Sequence, residues 1–368
     1  MNELKKQLKD MTEDMPLLFQ RLKMLLLNDS PVFNTVLLQA SRYREANTNW
    51  INGLQSKEDT DLTINQVRQA LLMIIDGLKP TDLKPSERPD AAADAPKVLL
   101  HDYHRYTCNR VEHSDAFTIA FGKNRAQRKH FFFLYGLDLQ SHRGMFYRIA
   151  YDLEGRLADY LNPGLETQCN ALTVELGFDV SNDPEVYKQN ILKNLFLCLD
   201  VPVNESAPLT SKNLNWLLSR SPKVKGLGPA DFLCVFVAIS EYDWNPGITP
   251  DVTRWFINSF CEAELKDEFP AVLFFFAIIY EEDDSPVETE VRALVRSSDL
   301  VTGLPELNMV AKRDVARWFS KYSFIAPTTS RLKAIREQHF GQAQEFYMED
   351  VELKLKKLID DYNLGVLS

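Results

Sequence analysis

The sequence predicts a multidomain protein, an N-terminal all-α helical bundle followed by an α/β domain, on three observations. Residues 1–80 carry their apolar side chains at helical spacing, residues 81–96 are rich in proline and charge, and continuous apolar runs beyond residue 97 alternate with helix-like segments. At 368 residues the chain also exceeds what one core of ordinary size organises.

In the bundle, the first apolar stripe is Leu17, Leu18, Leu22, Leu25 and Leu26. A second helix opens at Ser30-Pro31, a capping side chain followed by proline at the first helical position, and runs through Val36, Leu37, Ala40 and Tyr43. A third spans Leu62 to Leu78, with Ile64, Val67, Leu71, Ile74, Ile75 and Leu78 on one face. So small a bundle has limited core, which leaves part of its surface for a partner. Arg42, Tyr43, Arg44 and Trp50 are the partner-binding candidates, because arginine, tyrosine and tryptophan supply most interface hot spots. Tyr43 and Trp50 also continue the stripe of Val36 and Ala40, so core packing is an equal alternative for that pair.

The stretch from Lys79 to Lys97 holds four prolines among charges and alanines, so it sustains neither a helix nor an apolar face and reads as the linker. Three runs then read as central strands covered on both faces: His130 to Tyr135, Phe232 to Ile239 and Val272 to Tyr280. The first leads through Gly136 into a helix with Phe146, Ile149, Ala150, Leu153, Leu157 and Tyr160 inward. The string Asp-Val-x-Arg-Trp-Phe occurs twice, at Asp251 to Phe256 and at Asp314 to Phe319, and reads as two equivalent core helices. Glu345 to Asp361, with Val351, Leu353, Leu355 and Leu358, closes the chain as a surface helix.

The strand-to-helix turn carries the chemical question. A working P-loop needs GxxxxGK[ST], and the register starting at Gly136 puts Ser141 at the second glycine, His142 at the lysine and Arg143 at the hydroxyl. No backbone cradle, phosphate-reaching ammonium or magnesium-holding hydroxyl remains, so no nucleotide and no cofactor is expected there. An ordinary βα turn is the alternative origin. Carboxylates follow two strands, at Glu241 and at Glu281 to Asp284; the second cluster is a candidate metal site, but no lysine or hydroxyl is available across from it, and a solvated loop leading into the helix near Pro286 is the favoured alternative. His101, His104, Cys108 and His113 match no zinc spacing, so no metal is expected, and Cys108 with His113 lacks an orienting third group for catalysis.

The net charge of -10 repels nucleic acid and anionic lipid unless the local patch of Lys123, Arg125, Arg128, Lys129 and His130 overrides it. Five scattered cysteines without a CxxC pair, no long apolar run and no secretory signal in the first residues lead to an expectation of a cytoplasmic protein with reduced thiols, outside the membrane.

Two sets of motifs carry a resemblance. Ala40 to Tyr43, Asn47, Gly53 and Asn65 to Leu72 resemble the effector-associated domains of bacterial conflict systems, class eleven. Tyr106 to His113 with Phe117, the strand Phe131 to Gly136 with its Gln140-Ser141 turn, and Leu304 to Leu307 with Val310, Asp314 and Trp318-Phe319 resemble the inactive STAND domain. The resemblance implies a death-like helical module that pairs with the same kind of module on an effector such as a protease, or with itself. It also implies a P-loop-derived domain without Walker residues, and hence a non-enzymatic adaptor in antiviral defence. No catalytic residue carries over. The competing readings are an NTP-binding switch that uses Arg143 and Lys129 in place of the lost lysine, and a nucleic-acid sensor that uses the basic patch.

Overall fold

The computed structural model describes residues 1–27, 30–51, 55–84, 98–157, 167–203, 208–281 and 285–367. Contacts along the chain divide it into two units, residues 1–98 with Phe319–Ile335, and residues 99–318 with Arg336–Ser368. The stretch Phe319–Ile335, expected in the larger domain, thus groups with the helical unit.

The helical unit is built from α1 (Asn2–Asp10), α2 (Met15–Leu25), α3 (Pro31–Ile51) and α4 (Lys57–Gly77). Each start has a local cause. Asp14 accepts the Leu17 amide at the head of α2, Ser30 accepts the amides of Val32 and Phe33 at the head of α3, and Ser56 caps α4 through the Asp59 amide. Leu18, Leu22 and Leu25 of α2, Val36 and Ala40 of α3, and Val67, Leu71 and Ile75 of α4 fill the core. That core continues past residue 80, because Leu83 is fully buried and bridges to Leu26. Of the proposed linker, residues 85–96 lie outside the described residues, as do Gly53, Tyr160 and Glu282 to Asp284.

In the larger unit α5 (Val111–Lys123) leads into β1 (Lys129–Leu137), followed by α6 (His142–Leu153), β2 (Ala171–Leu176), α7 (Pro184–Cys198), α8 (Leu214–Arg220), β3 (Phe232–Ser240), α9 (Thr249–Trp255), β4 (Ala271–Tyr280), α10 (Pro286–Ser297) and β5 (Thr302–Gly303). The five strands form one parallel sheet in the order β2-β3-β4-β1-β5. The three continuous apolar runs are its centre, and they are continuous for the reason expected. Phe132, Leu134, Cys234, Phe236, Leu273 and Phe275 pack with α5 and α6 on one face, while Phe133, Val235, Val237, Phe274 and Phe276 pack with α7 to α10 on the other. Across β1 and β4, Phe131 stacks on Phe274 and Phe132 on Phe275, with ring centroids 5.4 Å apart in both pairs.

Two helices end differently from the periodicity. α6 stops at Leu153, so Leu157 is not part of it, and the closing helix starts three residues later than expected because Glu345–Phe346 forms β7, antiparallel to β6 (Val310–Ala311). After β6 come α11 (Lys312–Lys321), α12 (Thr329–Phe340) and, after β7, α13 (Met348–Leu364). In α13 Val351, Leu355, Leu358 and Ile359 are buried and Leu353 is exposed. Both copies of the repeated string are core helices: Val252 and Phe256 are buried in and just after α9, and Val315, Trp318 and Phe319 in α11, with Asp-Arg ion pairs of 2.6 Å and 3.2 Å one turn apart on their outer sides.

Candidate functional site

The carboxyl ends of β1, β3 and β4 converge at one edge of the sheet, where parallel α/β folds place ligands. The chain leaves β1 through a 3-10 turn, Asp138–Gln140, and enters α6 at Ser141. Gly136, expected to open the turn, lies inside β1 instead. Its φ is 151°, and a Cβ there would stand 2.7 Å from the Leu307 carbonyl oxygen, so glycine serves the close approach of Leu307. Ser141 holds a left-handed φ of 55° without being glycine, and its Oγ accepts the Gly144 amide at 3.2 Å as the cap of α6.

That same hydroxyl donates to Glu352 Oε2 on α13 at 2.7 Å. A carboxylate therefore sits at the N-terminus of α6, the position where a P-loop cradles phosphate. Gly144 makes room for it, since a Cβ there would fall 2.1 Å from Glu352 Oε1. Below the turn, the almost fully buried Arg110 donates to the Gln140 carbonyl at 2.8 Å and the Asn308 carbonyl at 2.7 Å. Burial pushes the Glu352 carboxyl up to about 7, against the opposing pull of the Ser141 hydrogen bond and of Arg105 and Arg110. Burial likewise drives His142 down to about 3, with Arg110 adding to the effect, so this side chain is neutral and turned into the protein. The cleft above the turn encloses about 450 Å3, with Arg105, Asp138, Arg143, Glu349 and Glu352 in its walls.

The expected P-loop substitutes do not assemble. Arg143 pairs with Glu175 at 2.6 Å. Lys129 begins β1, at the opposite end of the strand from Ser141, and its Nζ donates to the carbonyls of Cys261, Glu262 and Ala263. The NTP-switch pairing of Arg143 with Lys129 is therefore corrected: a nine-residue strand separates them by roughly 30 Å. Arg128 is committed in the same way to the carbonyls of Lys266 and Phe269, which removes two cations from the basic patch.

Glu241 accepts the Glu281 amide at 2.9 Å and the Ser285 hydroxyl, holding the ends of β3 and β4 together. His113 bonds the Glu306 carbonyl at 3.0 Å, and burial raises the Cys108 thiol to about 12. Among the described residues no group of three His, Cys, Asp or Glu side chains could hold a metal.

Sequence reasoning missed Glu352, Gly144, Arg105 and Asp138. A weak signal for Glu352 exists: it lies one residue after Val351 and three before Leu355, at the margin of the buried stripe of α13.

On α3 the structure separates the partner candidates. Arg42 and Arg44 are exposed but two residues apart, and so project from nearly opposite sides of the helix. Tyr43 packs against the core with its ring 5.8 Å from Phe19, and Trp50, two turns on along the same face, is 50% exposed. On α4 the apolar side chains of Leu62 and Met73 are also exposed, at 59% and 76%.

Among the described residues no helix is long and apolar enough to cross a membrane. The family model of effector-associated domain 11 matches residues 3–79, and that of the inactive STAND domain matches residues 105–278. No curated protein matches the chain. Among solved structures the Orc1 protein of Aeropyrum pernix, determined in complex with DNA, is similar at 12% identity and a TM-score of 0.34, over 76% of this chain and 68% of that one.

Proposed function

Because the chain couples an effector-associated domain 11 to an inactive STAND domain, we propose that it is a non-enzymatic adaptor or regulator of a bacterial antiphage or conflict system. In this reading the helical unit docks onto a matching helical domain of an effector, for example a protease, while the α/β unit senses a trigger or scaffolds the assembly in the cytoplasm. Self-association through the same module is the other contact open to it.

The observation that carries the reading is the Glu352 carboxylate on Ser141 at the head of α6. A nucleotide would need its phosphates there, next to Asp138 and Glu349 and without a P-loop lysine. Purified protein is therefore expected to show no thermal shift with ATP or GTP and magnesium, whereas a ligand at a hundred times its dissociation constant stabilises by about 2.7 kcal/mol, several degrees. A shift of that size sinks the non-nucleotide reading.

For recruitment, the exposed Arg42 and Arg44 are the discriminating positions, since each can be reversed in charge without touching the core. Full-length protein should capture the effector encoded beside it, and Arg42→Glu/Arg44→Glu should weaken capture at least about tenfold with an unchanged melting temperature. Undiminished capture moves the docking surface elsewhere, with Leu62 and Met73 of α4 the next to test.

A further inference from the structure

α13 is clasped at both ends by polar contacts of unlike kind. Near its N-terminus Glu352 accepts the Ser141 hydroxyl at 2.7 Å. Near its C-terminus the Asn363 amide brackets the backbone of Leu100, accepting its N–H at 3.0 Å and donating to its carbonyl at 2.6 Å. Eleven residues, three turns and about 16 Å of helix separate the two contacts, and both fall on one face with Leu355 and Ile359 between them. Those two side chains are buried, along with Val351 and Leu358, so the helix is packed along its whole length.

Leu100 is the second residue of the α/β unit, and the 3-10 segment that follows it, Asp102–Thr107, returns to the other clasp. There Arg105 and Tyr106 line the same cleft as Ser141 and Glu352. Anything that takes the place of the Glu352 carboxylate at the head of α6 must unseat the first turns of α13. A rigid helix that is packed along its length and bonded to Leu100 through the Asn363 amide then passes the disturbance to the residues where the chain enters the unit.

We propose that α13 is a two-ended clasp coupling the degenerate turn at Ser141 to the segment Leu100–Thr107, so that release at either end loosens the other. The proposal rests on the reading of the α/β unit as the sensing part, and it supplies the path by which that unit would signal toward the helical module. Coupling between two sites is reciprocal, whichever site is perturbed, and this gives the test.

The experiment is amide hydrogen exchange on the full-length protein alone, with no effector present. Glu352→Ala and Ser141→Ala, which delete the same hydrogen bond from opposite sides, are expected to speed exchange about fivefold at Leu100 and His101, the part of the segment away from the Glu352 cleft, and Asn363→Ala to speed exchange across Ser141–Met145 by a similar factor. Glu352→Gln keeps an acceptor for the Ser141 hydroxyl and should not speed exchange at either end. Changes confined to the mutated end in every variant overturn the proposal and leave α13 a packing helix. Should Glu352→Ala fail to fold, Ser141→Ala and Asn363→Ala decide the matter in the same way. A failure of effector capture would count against the adaptor reading but would not alter these exchange rates, so the two outcomes stay distinct.

Discussion

At the scale of single residues, Glu352 makes the strongest claim, because its titration has a sign. In the unfolded chain a glutamate ionises near 4.3, whereas burial raises this one to about 7 in the folded protein. The folded state therefore holds the proton more tightly. The stabilisation this gives is complete below the unfolded value and is lost as pH rises through about 7. Glu352→Gln does not ionise, so its stability relative to wild type should climb between about pH 4.5 and 7 and then level off, by about 3 kcal/mol in total. Urea denaturation of both proteins at pH 5, 6, 7 and 8 measures this. The buried His113 and His142 act in the opposite direction below about pH 6.5, since their pKa values are lowered, but they are common to both proteins and cancel in the difference. A flat difference would mean that water reaches the carboxylate and relieves its burial.

At the scale of elements, the central strands and most of the helices were legible because their patterns are redundant. β1, β3 and β4 each present a long run, Phe131–Leu137 in β1 and nearly the whole strand in β3 and β4, in which almost every position is apolar, which no half-exposed strand or surface helix tolerates. β2, with Thr173 and Glu175 inside a six-residue stretch at the sheet edge, and β5, only two residues long, are too short and mixed to declare themselves. The candidate site was half legible. Ser141, His142 and Arg143 stood out as departures from the P-loop pattern, but the carboxylate bonded to Ser141 comes from 211 residues away, beyond the reach of local pattern. α6 shows how strongly an element is tied to the sheet: Phe146 is fully buried, with its ring 5.1 Å from Phe236 and 5.5 Å from Phe275. Phe146→Ala should cost about 3–5 kcal/mol in chemical denaturation while leaving the helical unit unaffected. A loss below 1 kcal/mol would mean that α6 does not pack on the sheet as described.

At the scale of the whole molecule, the two units have separate hydrophobic cores, one built on Leu22, Val67 and Leu71 and the other on the sheet. They should melt as distinguishable transitions, and Leu71→Ala, which removes about 2–5 kcal/mol from a fully buried site, should lower only one of them in calorimetry. A single transition shifted as a whole would show that the units fold as one. The strand order carries a consequence for how the protein is made. β1 is the first strand to leave the ribosome, yet its neighbours in the sheet are β4 and β5, with Phe132 opposite Phe275 on one side and Thr302 on the other. At translation rates of 5–20 residues per second, about 140 residues of further synthesis leave Phe131 to Leu134 without sheet partners for roughly 10–30 s. During that interval the apolar run Phe131 to Leu134 is exposed on the nascent polypeptide without its sheet partners, so the yield of this protein in the cell is expected to depend on chaperone capacity and elongation rate as well as on the stability of its finished fold.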